Sequence, residues 1–124
     1  MASTDRAVLV VDDDAELLGM LQMILAEAGY RVITAGEGHE ALEKVEQELP
    51  GVILLDMKMP GMDGWEFARE FRARYGRSSP IVVLTASEDA RERAEEIDAE
   101  CHVGKPFEIP DLLKVVESQL HTRA

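Results

Sequence analysis

Residues 7–14 read AVLVVDDD, a short apolar run followed directly by three acidic residues. An uninterrupted Val/Leu run of this length is typical of a strand that is buried on both faces of a parallel sheet. Four later runs are also strand candidates: Arg31 to Ala35, Val52 to Leu55, Ile81 to Thr85 and the shorter Cys101 to Val103. The chain therefore carries five candidate strands, the first of which ends in a cluster of carboxylates.

Segments with apolar residues at helical spacing separate these runs. The first contains Leu17, Leu21 and Leu25 on one face and ends at Gly29, a residue suited to the position after a helix. The segment from Ser87 to Ile97 has the smallest apolar stripe, which predicts a weakly docked helix that can move. Strict alternation of five strands and five helices predicts an α/β protein whose parallel sheet is covered by helices on both faces.

Length and charge exclude several classes of function. The 124 residues suffice for one domain, and 25 acidic against 13 basic residues give a net charge of −12 without a Lys/Arg cluster, which disfavours direct nucleic-acid binding. The longest apolar run has five residues, too few to span a bilayer, so we expect a cytoplasmic protein that does not enter the membrane. The single Cys101 cannot form an internal disulfide, and its apolar context predicts a buried thiol.

Polar residues stand where four of the strands end. Asp12 and Asp13 follow the first strand, Asp56 follows the third, Thr85 ends the fourth, and Lys105 comes after the fifth. Because the carboxyl ends of parallel strands meet at one edge of the sheet, we expect these side chains to converge. Converging carboxylates repel one another unless a cation joins them, and an all-oxygen site suits Mg²⁺.

The same arrangement can support phosphoryl transfer. A carboxylate attacks phosphorus once the charge that it faces is neutralised, and Asp56, alone after the central strand, is the natural acceptor. A cation, the Lys105 ammonium and the Thr85 hydroxyl could together stabilise the transferring group.

Several of these residues have simpler interpretations when each is taken alone. Asp13 with Glu16 could cap a helix, and Asp14 fits a helix cap better than a ligand position. Thr85 alone is an ordinary strand residue, and Lys105 alone is an ordinary surface lysine. Two residue pairs need no role beyond that of turns: Pro60-Gly61 and Asp63-Gly64. Three methionines are interpreted as loop packing and not as metal ligands: Met57, Met59 and Met62. One shared site explains the polar residues at four strand ends better than four separate coincidences do.

Four motifs together resemble the receiver domains of bacterial two-component response regulators: VLVVDDD at 8–14, VILLDMKMPGMDG at 52–64, PIVVLTAS at 80–87 and HVGKPF at 102–107. The similarity runs from about Val8 to Leu120. It implies one receiver domain over residues 1–124, with a core at about 7–120. It also implies a flavodoxin-like (βα)₅ fold, a doubly wound parallel five-stranded sheet in the order 2-1-3-4-5.

The resemblance also assigns residues to roles. It implies that Asp56 accepts a phosphoryl group from the phosphohistidine of a sensor histidine kinase or a histidine phosphotransfer protein. Asp13, Asp56 and the backbone carbonyl of Met57 would hold Mg²⁺ or Mn²⁺, with Asp12 acting through a bound water. Lys105 would then pair with the phosphoryl oxygens.

The switching residues follow the family pattern less closely. Thr85 would turn inward to the phosphoryl group, but His102 stands where the family mostly has Tyr or Phe, so its coupling to Thr85 can be weaker and pH-sensitive. Lys58, two residues after Asp56, occupies a position that tunes phosphoryl lifetime, and we expect it to slow hydrolysis. Asp98 replaces a common Gly, and a cis peptide is implied before Pro106.

The implied output is a protein–protein contact at the face of the fourth helix, fifth strand and fifth helix, made with a downstream protein or an attached output domain. A homodimer formed on phosphorylation is compatible with it. The domain would be a phosphoacceptor and not an enzyme, beyond self-phosphorylation from small donors and autodephosphorylation.

Two alternatives remain at this point. Asp12-Asp13-Asp14 contains the D-x-D pattern of haloacid-dehalogenase-type phosphohydrolases, with Asp12 as nucleophile, although Glu16 stands where that pattern expects Thr or Val. A degenerate receiver that binds partners without taking phosphate is the other.

Overall fold

The computed structural model describes residues 6–121 and shows five strands that alternate with five helices. The strands are β1 (Val8–Val11), β2 (Val32–Ala35), β3 (Val52–Leu55), β4 (Ile81–Ala86) and β5 (Cys101–Lys105). The helices are α1 (Ala15–Glu27), α2 (Gly38–Gln47), α3 (Gly64–Tyr75), α4 (Ser87–Glu96) and α5 (Ile109–His121). All neighbouring strands are parallel and the order is β2-β1-β3-β4-β5, which confirms the flavodoxin-like (βα)₅ fold.

Apolar side chains fill both faces of the sheet because successive strand residues point to opposite sides. Val8 and Val10 of β1 pack with residues of α1 and α5 on one face, whereas Leu9 and Val11 pack with residues of α2, α3 and α4 on the other. The three central strands are buried at nearly every position. This double burial explains why their sequences are continuous Val/Ile/Leu runs and not alternating ones.

Polar caps begin three of the helices. The Asp14 side chain accepts hydrogen bonds from the backbone N–H of Glu16 and Leu17 and caps α1, so the interpretation of Asp13 as the cap was wrong. Glu37 caps α2, and Asp63 forms a capping box with Glu66 at the start of α3. The Asp13 side chain is thereby left out of helix capping, next to the edge where β1 ends.

Several sequence-based boundaries change by one or two residues. β1 and β2 begin at Val8 and Val32, one residue later than predicted, and β4 continues through Ala86. β5 reaches Lys105, two residues beyond the predicted end, because its pairing with β4 continues to Ala86. Cys101 at the start of β5 is half-buried, so the prediction of a buried thiol was wrong.

Helix α4 has the least apolar support, as the sequence predicts. Only Ala90 and Ala94 of its residues are buried, and its first turn has no side-chain cap. Polar contacts supplement this packing near the end of the helix, where Trp65 of α3 donates a hydrogen bond to Glu96. The residue Asp98 that follows α4 has a left-handed backbone conformation, with φ of +54°.

Strands β2 and β5 form the two edges of the sheet. Val32, Ile33 and Thr34 of β2 are half-buried and line a groove of about 400 Å³ together with Gln22, Lys44, Gln47 and Glu48. Among the described helices, none combines the length and the hydropathy that crossing a membrane requires.

Candidate functional site

Three carboxylates converge at the edge where the strands end. Val11 and Leu55 are register partners in β1 and β3, so the next residues, Asp12 and Asp56, emerge side by side, and Asp56 N–H donates to the Val11 carbonyl at 2.9 Å. One carboxylate oxygen from each of Asp12, Asp13 and Asp56 lies within 4.8 Å of the others. Asp12 is 1% exposed and Asp56 is 6% exposed, whereas Asp13 is open to solvent. The sequence predicts this convergence correctly.

Lys105 lies beside the carboxylates, but nearer to one of them. Its Nζ is 2.8 Å from Asp12 Oδ2 and 3.7 Å from Asp56 Oδ1. The second oxygen of Asp12, Oδ1, accepts a hydrogen bond of 3.0 Å from Asp14 N–H. Asp12 therefore has partners for both oxygens, and Lys105 bridges the carboxylates that follow β1 and β3.

The electrostatics of the pocket are unfavourable for a third negative charge. The pKa of Asp56 is raised to about 6, first by burial and next by the charge of Asp12, with a smaller contribution from Asp13. The positive charge of Lys105 and a hydrogen bond from the backbone N–H of Lys58 oppose this rise. One ammonium group thus compensates only part of the carboxylate charge, and a divalent cation would relieve the rest.

The donor set fits a hard cation. Three carboxylates supply oxygen atoms, and the Met57 carbonyl is the next backbone oxygen after Asp56. Mg²⁺ binds through one or two carboxylates and keeps several water molecules, which an open side such as that at Asp13 permits. The three His residues of the sequence, at positions 39, 102 and 121, contribute nothing to the cluster. These residues fit Mg²⁺ or Mn²⁺ better than a softer metal.

Thr85 and His102 lie on the same face of the sheet. Thr85 is opposite Gly104 and Val83 is opposite His102 in the pairing of β4 with β5, so Thr85 and His102 are two positions apart on that face. Thr85 is buried with 6% exposed, and His102 is exposed. The imidazole therefore lies at the surface, on the face where α4 packs.

Three smaller features lie around the pocket. The Lys58 side chain is exposed next to the buried Asp56 and Met57. The Lys105–Pro106 peptide is cis, as the resemblance implies. Met57 and Met59 are buried in the core and Met62 packs against it, which confirms that the methionines serve packing.

Sequence reasoning missed the residues that hold the β3–α3 loop, residues 57–63. Gly64 N–H donates to the Met57 carbonyl at 2.9 Å, and Gly38 N–H donates to the Met62 carbonyl at 3.0 Å. The pair Asp63-Gly64 gave only a turn signal, although Glu66 three residues later is the sequence mark of a capping box. No local pattern connects Gly38 with Met62.

Comparison with known proteins gives the family. The sequence profile described as "Response regulator receiver domain" matches residues 8–117. A curated relative, the transcriptional regulatory protein PdtaR of Mycobacterium tuberculosis, is 40% identical over 119 residues, covering 94% of this chain and 57% of the relative. The chain thus spans little more than half the length of that relative.

Solved structures of related proteins have the same fold. The chemotaxis protein CheY4 of Vibrio cholerae has a TM-score of 0.81 at 34% identity, with 91% of this chain and 97% of that chain covered. The response regulator TrrA of Thermotoga maritima, solved in complex with Mg(2+)-BeF, has a TM-score of 0.81 at 32% identity, with 92% and 98% covered. This chain belongs to the response regulator receiver domain family. The receiver domains of this family are signalling domains of two-component systems.

Proposed function

We propose that Asp56 accepts a phosphoryl group in a Mg²⁺-dependent reaction, and that the modified domain changes its affinity for a protein partner. The donor is the phosphohistidine of a sensor histidine kinase or a histidine phosphotransfer protein. One observation carries this proposal: the buried Asp56 carboxylate lies beside Asp12 and Asp13, with the Lys105 ammonium 3.7 Å from its Oδ1. The TrrA structure, which holds Mg(2+)-BeF in a protein of the same fold, supports Mg²⁺ as the ion.

The chain's own residues divide the chemistry. Asp13, Asp56 and the Met57 carbonyl would hold Mg²⁺, with Asp12 acting through water; the ion supplies charge neutralisation for the incoming phosphoryl oxygens. An Asp56 oxygen attacks phosphorus, a P–O bond forms, and the P–N bond to the donor imidazole breaks. The departing imidazole nitrogen takes a proton from solvent water, so the donor leaves as neutral imidazole. Since the attacking group must be ionised, the cation also counters the raised pKa of Asp56.

Lys105 must change partners during this reaction. Its ammonium bonds to Asp12 at 2.8 Å before transfer, and the new phosphoryl group on Asp56 offers it a stronger, doubly charged partner. The Thr85 hydroxyl, buried at the end of β4, is the second donor for the phosphoryl oxygens. These new bonds are available only after transfer, so they stabilise one conformation over the other.

The proposed output is the face of α4, β5 and α5. Helix α4 has two buried alanines and no side-chain cap, and the exposed His102 lies on the same side of the sheet. Moving a population from 1:99 to 99:1 takes about 5.5 kcal/mol of differential stabilisation, and several charge-assisted hydrogen bonds supply a large part of that. The partner is a downstream protein or an attached output domain, with residues 1–124 acting as one receiver domain.

Intact-mass measurement after incubation with Mg²⁺ and a small acyl-phosphate donor tests the proposal. We expect the wild-type chain to gain one phosphoryl group and Asp56→Asn to gain none. Asp14→Asn is the matched control, because Asn also caps helices and Asp14 lies outside the three-carboxylate cluster; it should gain the group normally. If the wild-type chain gained no mass, the alternative of a receiver that binds partners without accepting phosphate would describe it better.

The phosphohydrolase alternative predicts modification of Asp12 instead. Both Asp12 oxygens already have hydrogen-bond partners, Lys105 and Asp14 N–H, and Asp12 is 1% exposed, which disfavours attack by this carboxylate. Peptide mapping of the modified chain distinguishes the two acids. A phosphoryl group on the peptide that contains Asp12, retained in Asp56→Asn, would contradict the proposed reaction.

A further inference from the structure

Trp65 is the second residue of α3 and follows a glycine that abuts the backbone of the phosphoacceptor. A Cβ at residue 64 would lie 2.8 Å from the Asp56 carbonyl oxygen and 2.7 Å from Met57 Cα. Gly64 N–H also donates to the Met57 carbonyl at 2.9 Å. Because no side chain lies between these backbone atoms to absorb a displacement, the start of α3 must follow a movement of the Asp56–Met57 peptide.

The Trp65 side chain extends this connection to α4. Its indole N–H donates to Glu96 Oε1 at 2.8 Å. Arg93 donates to Glu96 Oε2 at 2.8 Å, and its guanidinium lies 5.6 Å from the centre of the Trp65 ring. The indole bond joins the two helices directly, whereas Arg72 of α3 reaches the Ile97 carbonyl, just after α4, at 3.4 Å.

Helix α4 is packed lightly enough to respond to a change in this bond. Only Ala90 and Ala94 of its residues are buried, and its first turn has no side-chain cap. The Glu96 side chain is 38% exposed, so it can exchange the indole for water without leaving a buried carboxylate unpaired. Since hydrogen bonds weaken steeply with poor alignment, a small displacement of α3 is enough to break this one.

The His102 side chain offers less contact on the route through β5. It is exposed, and within residues 6–121 it makes no side-chain hydrogen bond or ion pair. Trp65, in contrast, is half-buried, packs against the core and contacts α4 through both a hydrogen bond and a cation–π pair. The defined aromatic contact with α4 thus comes from α3.

We propose that the hydrogen bond between Trp65 and Glu96 is a latch, which holds α4 in the unphosphorylated arrangement and opens when Asp56 is modified. The latch is closed in the present structure, in which Lys105 still bonds to Asp12 at 2.8 Å. Modification of Asp56 shifts its own peptide and, with it, the start of α3, so the indole loses its acceptor. This inference rests on the proposed function, because it takes modification of Asp56 as the trigger.

Thermodynamic linkage makes the latch measurable without a partner protein. If a ligand at Asp56 opens the latch, removal of the latch must strengthen binding of that ligand by the same factor. The probe is beryllofluoride with Mg²⁺, the ligand that the TrrA structure holds. Its dissociation constant at saturating Mg²⁺ and excess fluoride is measured by NMR titration of each folded variant.

Two variants remove the latch, and a third is the matched control. Trp65→Phe keeps an aromatic ring in the core but has no N–H, and Glu96→Ala removes the acceptor. Glu95→Ala removes a neighbouring acid of α4 whose ion pair, with Arg91, stays within that helix. Only the first two variants therefore break a contact between α3 and α4.

We expect Trp65→Phe and Glu96→Ala each to bind beryllofluoride about twofold to tenfold more tightly than the wild type, the range that one hydrogen bond supplies. The double variant should bind no more tightly than Glu96→Ala, because both changes remove the same bond. Glu95→Ala should bind as the wild type does. Unchanged affinity in Trp65→Phe and Glu96→Ala, or an equal gain in Glu95→Ala, would overturn the latch.

A measurement on the wild-type chain does not depend on any variant folding. Trp65 is the single tryptophan of the sequence, so its indole N–H gives one NMR signal. Exchange of this proton with water should become faster as beryllofluoride saturates the site. Unchanged exchange with measurable binding would overturn the latch alone. A wild-type chain that neither binds beryllofluoride nor gains a phosphoryl group would overturn the proposed function, and the latch with it.

Discussion

The indole N–H of Trp65 donates a hydrogen bond of 2.8 Å to Glu96 Oε1, and this bond links α3 to the end of α4. The Arg93 guanidinium lies 5.6 Å from the centre of the Trp65 ring and bonds to Glu96 Oε2 at 2.8 Å. The three side chains form one cluster between α3 and α4, a helix in which only Ala90 and Ala94 are buried. Polar contacts therefore supplement the small apolar packing of α4.

Glu96→Ala should loosen this attachment. The variant removes the acceptor for both Trp65 and Arg93, and we expect a loss of about 1 kcal/mol in the free energy of unfolding. Because Trp65 is the single tryptophan, its emission should also change in the folded state. Urea denaturation followed by fluorescence measures both. Glu88→Ala, at an exposed position on the same helix, should leave the emission unchanged, and an equal effect of the two would contradict the prediction.

Removal of the half-buried Glu100 should lower the free energy of unfolding more than removal of an exposed acid. Its Oε1 accepts from Ile81 N–H at 2.8 Å and from Arg72 at 3.5 Å, and its Oε2 accepts from Arg77 at 2.9 Å. Glu100→Ala leaves a buried strand N–H without this acceptor and a half-buried Arg72 without its carboxylate, so we expect a loss of about 2 kcal/mol. Chemical denaturation should show less than about 0.5 kcal/mol for Glu95→Ala, which removes an exposed pair with Arg91.

The raised pKa of Asp56 gives a pH dependence of opposite sign to that of a salt-bridged acid. The folded state binds the proton more tightly than the unfolded state, whose pKa is near 3.8. The free energy of unfolding of the metal-free chain should therefore fall as pH rises from about 4 to about 7, by about 2 to 3 kcal/mol from this group. Urea denaturation in EDTA at a series of pH values measures it.

Asp56→Asn removes this contribution while keeping nearly the same shape. Its stability at neutral pH should exceed that of the metal-free wild type, and the difference should shrink as the pH falls below about 6. Asp13→Asn should have a smaller effect, because Asp13 is exposed and ranks below burial and Asp12 among the causes of the shift. Equal slopes for wild type and Asp56→Asn would contradict the assignment.

Gly19 inside α1 and Gly29 just after it should respond oppositely to alanine. Gly19 lies inside α1 with open space around it, so Gly19→Ala should raise the free energy of unfolding by about 0.5 to 1 kcal/mol through helix propensity. Gly29 has φ of +101°, which disfavours any side chain, so Gly29→Ala should lower it by about 1 kcal/mol. Paired thermal unfolding curves distinguish these directions from a common effect.

The sequence predicted the sheet and the positions of the pocket acids because both depend on short-range order. A continuous apolar run marks a strand buried on two faces, and the residue that follows it, as Asp56 follows Leu55, must lie at the carboxyl edge. The sequence favoured Asp14 as a helix cap, which the structure confirms, but it also allowed Asp13 in that role. Three successive acids look alike in sequence, and the direction of the chain leaving β1 selects among them.

The sequence also did not predict the contacts between segments that are distant along the chain. The preference of Lys105 for Asp12 over Asp56 is a difference of 0.9 Å between groups that the strand order only brings near each other. The pairing of Trp65 with Glu96 joins residues on two helices whose spacing and rotation no local pattern specifies. Half-burial of Cys101 likewise follows from its place at the beginning of an edge strand.

The edge strand β2 has a consequence for how copies of this chain behave at high concentration. An unpaired strand edge is a template on which another chain can add and start aggregation. Here that edge is four residues long and is bordered by the polar side chains of Gln22, Lys44 and Gln47. The net charge of −12 makes each copy repel the next. The short length of the β2 edge and the repulsion between negatively charged copies thus both oppose edge-to-edge polymerisation.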